Sequence, residues 1–135
     1  MVTVCVKKSL LRDVKNCLPR REKTPYHEVA KSSYRAHLTN LEELYFGYNK
    51  IKDISPLQDM KKLYYLSMGY NNVEDLSVLN ALPALSKLSI CNNPIKTQSV
   101  VMGLNGLSHL RISRDQFTSD EIEMLEDSIY DFVIE

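Results

Sequence analysis

Four polar residues stand 22 positions apart in this chain: Asn49, Asn71, Asn93 and Asp115. Each sits in the same apolar frame. Leu41, Leu44, Phe46 and Ile51 surround Asn49; Leu63, Leu66, Met68 and Val73 surround Asn71. Leu85, Leu88, Ile90 and Ile95 surround Asn93, and Leu107, Leu110, Ile112 and Phe117 surround Asp115. Leu38, Met60, Leu82 and Leu104 precede the four units in register. In Leu44-Tyr45-Phe46-Gly47 the alternation has period two, so Leu44 and Phe46 point to one side and Tyr45 and Gly47 to the other. One such unit cannot bury its own apolar side. A stack can, because Leu44, Leu66, Leu88 and Leu110 then form a continuous column.

The Asn falls where the chain leaves the strand and turns. Its amide both donates and accepts, so it can satisfy backbone groups that the turn strips of partners. At Asp115 the ionised side chain can only accept, which is expected to suit a terminal coil. The pattern L-x-x-L-x-L-x-x-N-x-I at a fixed period is the signature of a leucine-rich repeat solenoid. Residues 38–59 resemble the 22-residue repeat of bacterial internalins and of phosphatase-regulator-type leucine-rich proteins. The stretch Lys52-Asp53-Ile54-Ser55-Pro56-Leu57 is especially internalin-like, and Glu74-Asp75-Leu76-Ser77-Val78-Leu79 echoes it. The resemblance implies an α/β solenoid with a parallel sheet lining its concave face, and a surface that binds other proteins.

Residues 1–135 are expected to form a single domain. Repeats are expected at 38–59, 60–81, 82–103 and 104–117, between a cap at 1–37 and a capping helix at 118–135. In the first cap, alternating Val2, Val4 and Val6 suggest a strand. Leu10, Leu11, Val14 and Leu18 suggest a helix ended by Pro19, and Thr24-Pro25 opens a second helix to about His37. At the other end Thr118 and Glu121 have capping-box spacing, and Ile122, Leu125, Ile129 and Phe132 give a helical apolar stripe. Between strands, segments 53–57 and 75–79 are expected to form 3₁₀ turns, with a longer turn at 97–102.

The composition, 44% apolar and 25% charged, is that of a folded domain. No apolar run approaches the ~18 residues of a membrane span. Three cysteines without a C-x-x-C pair, and no signal-peptide core, point to a cytoplasmic protein with reduced thiols. His27, His37 and His109 are scattered, so no metal or cofactor is expected, and no P-loop or nucleophile elbow marks an enzyme. Formal net charge is zero, but it is unevenly spread. Residues 1–37 hold nine Lys/Arg against three acids, and residues 118–135 hold seven acids and no Lys/Arg. The basic surplus lies in a cap without a nucleic-acid motif, so no nucleic-acid partner is expected.

Alternation places three columns outward: Glu43, Tyr65, Lys87, His109; Tyr45, Ser67, Ser89, Arg111; and Gly47, Gly69, Cys91, Ser113. Tyr48, Tyr70, Asn92 and Arg114 follow at the strand exits. Five of the eight tyrosines fall between positions 45 and 70. Tyr and Arg are favoured binding anchors. The expected partner-binding set is therefore Glu43, Tyr45, Tyr48, Tyr65, Tyr70, Lys87, His109, Arg111 and Arg114. The glycines are expected to leave a shallow trough beside it, and Cys91 to be exposed as a small filler of their column rather than a nucleophile paired with His109. The leading reading is a non-catalytic protein-binding module, monomeric when unbound: a bacterial inhibitor, a toxin-immunity protein or a regulatory subunit. The alternative is a self-assembling scaffold joined head to tail through its oppositely charged ends.

Overall fold

The computed structural model describes residues 41–135. The expected cap at 1–37, with its strand and helices, and Leu38 lie outside the described residues. Five short strands follow in chain order: β1 Glu43–Tyr45, β2 Tyr65–Ser67, β3 Lys87–Ser89, β4 His109–Ile112 and β5 Asp131–Ile134. They form one parallel sheet in that same order. Glu43 pairs with Tyr65, Tyr65 with Lys87, Lys87 with His109, and His109 with Asp131. The sequence period is thus the strand register itself.

Parallel strands need crossovers, and these lie on the side of the stack away from the open sheet face. They contain the 3₁₀ turns η1 (Ser55–Asp59) and η2 (Ser77–Ala81), then the helices α1 (Gln98–Met102) and α2 (Ser119–Ser128). The first two begin alike: Asp53 and Asp75 each accept the backbone N–H two residues on, at 2.8 Å. Between sheet and crossovers runs one apolar core. Leu66, Leu88 and Leu110 are almost completely buried, as are Phe46, Met68, Ile90 and Ile112.

The polar ladder is the second element holding the stack. The Asn71 amide donates to the carbonyls of Phe46 (3.0 Å) and Met68 (2.9 Å), and its oxygen accepts from Ile51 N–H at 3.1 Å. Asn93 repeats this one coil on, donating to Met68 and Ile90 and accepting from Val73 N–H. Each amide thus bonds its own coil and the one before. Asn49 donates to Phe46 and Gly47.

Two expectations are corrected at the C-terminal end. The fourth rung is Gln116, not Asp115. Gln116 is buried and its amide donates to Ile90 (3.0 Å) and Asn93 (2.9 Å) carbonyls, while its oxygen accepts from Ser113 N–H at 2.7 Å. Asp115 is exposed. A carboxylate has no N–H for those carbonyls. The exit from β4 is a 3₁₀ turn, η3 (Arg114–Gln116), which carries the chain one residue further before the rung. The extra methylene of Gln spans the added distance.

The capping helix also stops early. Thr118 and Glu121 form the expected reciprocal cap, but α2 ends at Ser128 and residues 131–134 are strand. Phe132 pairs with Leu110 and Ile134 with Ile112, so they extend the core columns by one coil. As strand, the segment also gains backbone bonds from Asp131 N–H to Ser108 and from Glu135 N–H to Ile112. A continued helix would offer the sheet edge none of these.

Candidate partner-binding face

The open face of the sheet is built from residues that the core does not claim, and its two halves have different chemistry. Over β1 and β2 it is aromatic. Tyr45 and Tyr65 meet edge to face, with ring centroids 4.8 Å apart and planes at 70°. Tyr48 and Tyr70 stack almost parallel, 4.3 Å apart at 9°. Tyr48 and Tyr70 hold the same repeat position in neighbouring coils, whereas Tyr45 and Tyr65 meet diagonally, since Tyr45 is in register with Ser67 and Tyr65 with Glu43. Such pairs contribute about 0.5–1.5 kcal/mol each.

The backbone beneath the second pair is unusual. Tyr48 and Tyr70 both have φ of 58°, and Asn92, the next in the column, has 52°. This left-handed region costs a residue with a Cβ about 1–2 kcal/mol, and Asn is among those that enter it most readily. The turn is needed to swing Asn49, Asn71 and Asn93 back under the strands. Neighbouring exits approach closely as they make it. A Cβ on Gly47 would stand 3.1 Å from the Gly69 carbonyl oxygen, and one on Gly69 would stand 3.3 Å from that of Cys91. A side chain at either glycine would therefore crowd the neighbouring strand exit. Tyr48 remains 71% exposed and Tyr70 42%.

Glu43, expected on the exposed face, is instead buried. Its carboxylate accepts from the Tyr45 hydroxyl at 2.8 Å and from the Tyr64 hydroxyl. Burial and the adjacent carboxylate raise the Tyr45 phenol far above its ordinary range. The hydrogen bond to Glu43 does the same for Tyr64. The charge of Glu43 is thus spent inside the protein, holding two rings in place. Tyr64, just before β2, is thereby part of the support of the face.

Over β4 and β5 the face is ionic. His109 Nε2 lies 3.5 Å from Asp131 Oδ2, and its Nδ1 is 2.7 Å from the Ser108 hydroxyl. Arg111 Nη2 lies 3.0 Å from Glu135 Oε1. Two of the four basic residues expected on the face, His109 and Arg111, thus face acids of their own chain. Asp131, Val133 and Glu135 belong to the site and were missed because 118–135 read as one helix. Their signals were the 22-residue step from His109 to Asp131 and the alternation in Asp131-Phe132-Val133-Ile134. Arg114 is exposed in η3, past the end of β4.

Cys91 is buried, not exposed. Burial, with the Glu135 carboxylate nearby, pushes its thiol pKa up, the opposite of what a nucleophile requires. Between the two halves, Tyr65, Lys87, Ser89, His109, Arg111, Asp131 and Val133 enclose an open concavity of about 280 Å³. Among the described residues no group of three or more His, Cys, Asp or Glu could hold a metal ion, and no helix is long and apolar enough to cross a membrane.

A family model for leucine-rich repeats, in two copies, matches residues 39–81. The described residues have the leucine-rich repeat fold. Among solved structures the chain is similar to internalin C2 of Listeria monocytogenes, at 30% identity and a TM-score of 0.64 over 78% of this chain and 46% of that one. It is also similar to internalin F of the same organism, at 31% identity and a TM-score of 0.65 over 83% of this chain and 31% of that one. The chain spans less than half the length of either. No curated protein matches it by sequence. The two similarities agree with the observed architecture, an internalin-like repeat fold with a parallel sheet.

Proposed function

We propose that this leucine-rich repeat chain binds another protein through the open face of its sheet, with Tyr45, Tyr48, Tyr65 and Tyr70 as anchors. The observation that carries the reading is the Tyr48–Tyr70 stack. Two exposed aromatic residues occupy a backbone conformation that disfavours them, at a position where the third coil uses Asn92. Strain kept at an exposed surface is a reason to look for a function there. Tyrosines give large contact area for little rotamer loss, which makes them effective anchors.

The partner is a protein rather than a nucleic acid or a membrane, and the unbound chain is a cytoplasmic monomer acting without metal or cofactor. Binding alone suits an inhibitor, a toxin-immunity protein or a small regulatory subunit. Affinity purification with the wild-type chain and with a Tyr48→Ala/Tyr70→Ala double variant tests this. A stoichiometric protein recovered with the first and lost with the second is expected. Equal recovery with both variants, or none with either, overturns the reading.

One observation favours the scaffold reading: β5 is an edge strand whose outer side pairs with no other described strand, at the acidic end of a chain with a basic N-terminal segment. Head-to-tail assembly would then give a mass that grows at low salt and falls at moderate salt in light scattering. A monomer at both salts rejects it.

A further inference from the structure

The charges of the open face are almost all matched from within, and the exception lies at its centre. Across the sheet one row reads Glu43, Tyr65, Lys87, His109, Asp131, at one residue per strand. Glu43 is engaged by two tyrosine hydroxyls, and His109 by Asp131 and Ser108. In the adjoining row Arg111 is paired with Glu135. Alone among the charged side chains of its row, the Lys87 ammonium makes neither hydrogen bond nor ion pair to any described residue. The row's two carboxylates, Glu43 and Asp131, each lie two strands from it, about 9–10 Å at ordinary strand spacing. Its side chain is half-buried in the concavity, between Tyr65 and His109, with Ser89 on the same strand.

We infer that Lys87 is the specificity-determining residue of the proposed interface and receives a carboxylate side chain, Asp or Glu, of the protein partner. This rests on the proposed use of the open face and adds the chemistry of what enters it. An ammonium already drawn partly out of water, without a counter-charge, is stabilised by an incoming carboxylate. The Ser89 hydroxyl and the Tyr65 phenol stand beside it as further donors. Arg111 and His109 are poor alternatives, since an incoming acid would first have to displace Glu135 or Asp131. An apolar or aromatic neighbour of the acid would then lie toward Tyr45 and Tyr65.

Selection of a random peptide library on the intact chain tests both levels. Peptides enriched on wild type over a Tyr65→Ala/Lys87→Glu control are expected to share an acid at one position. They should bind Lys87→Met at least about tenfold more weakly and Lys87→Arg nearly as well as wild type, because a charge-assisted hydrogen bond is lost in the first and kept in the second. Selection on Lys87→Glu should move that position to Lys or Arg. Peptides that depend on Tyr65 but show no acid preference, and bind Lys87→Met unchanged, overturn the role of Lys87 and leave the face standing. Peptides indifferent to Lys87, Tyr45 and Tyr65 variants alike, or no enrichment over the control, overturn both. Unchanged circular dichroism and thermal midpoint of the Lys87 variants establish that binding, not folding, is being read.

Discussion

The second coil and the last one that carries a rung solve the same structural problem with different residues. In the second, a left-handed turn at Tyr70 brings Asn71 beneath the strand, where one short amide reaches the carbonyls of Phe46 and Met68. In the last, a 3₁₀ turn runs one residue longer and Gln116 makes the equivalent reach to Ile90 and Asn93. The outer faces diverge too. The aromatic half offers rings to solvent, whereas the ionic half folds His109 and Arg111 onto Asp131 and Glu135. What the stack demands is a buried amide and an apolar column. The exit turn and the outward side chains are free to vary around that demand.

The largest contrast lies in the core. Leu66→Ala should cost about 2–5 kcal/mol through the cavity it leaves, because Leu66 is fully enclosed between coils. Phe132→Ala, on the half-exposed edge strand, should cost less despite its larger side chain. Urea denaturation of both variants checks the ranking, and a reversed order would mean that β5 is more deeply integrated than its edge position implies.

The rung comes next. Gln116→Glu keeps the shape but removes the donors to Ile90 and Asn93, and should cost about 1–3 kcal/mol for buried groups left unpaired. Asp115→Asn, on the exposed neighbour, should be nearly neutral. If Asp115→Asn proved strongly stabilising instead, the rung would belong to position 115. The same urea series decides.

A pH effect distinguishes the aromatic half. The Tyr45 and Tyr64 phenols are raised in the folded state, so the neutral phenols favour folding. Their contribution is full below the ordinary phenol pKa of about 10 and is lost as pH rises through the higher folded values. Stability should therefore fall between about pH 10 and the raised pKa, and Tyr45→Phe should flatten that fall. An ultraviolet tyrosine titration alongside thermal melts measures both. The smallest effect belongs to the ionic half: Arg111→Ala should change stability by about 0–1 kcal/mol, since the Arg111–Glu135 pair is substantially exposed. Thermal melts at low and high salt would show it, with the difference shrinking as salt is added.

The tyrosine face was legible in the sequence because the same alternation that points Leu44 and Leu66 inward must point Tyr45 and Tyr65 outward. The capping box at Thr118 was legible for a similar reason, being a contact three residues apart. Glu43 and Cys91 were misplaced because alternation gives a direction, not an exposure. Both point to the open face, yet neighbouring side chains and the close strand exits cover them. The segment after Ile129 was misread because its apolar residues fit a helical stripe and the 22-residue register at once, and only the presence of β4 beside it favours strand.

By itself the sequence determined the stack: the period of 22, the apolar columns and the amide positions leave one way to bury the leucines and satisfy the turns. Tertiary structure alone decided which residue makes the last rung, where the final helix yields to a strand, and which charges on the open face find partners. Those outcomes depend on distances between coils, which a single repeat does not contain. Burial columns repeat because each coil must match its neighbours, whereas Arg111 meets Glu135 and Lys87 meets no described acid only once the strands stand side by side.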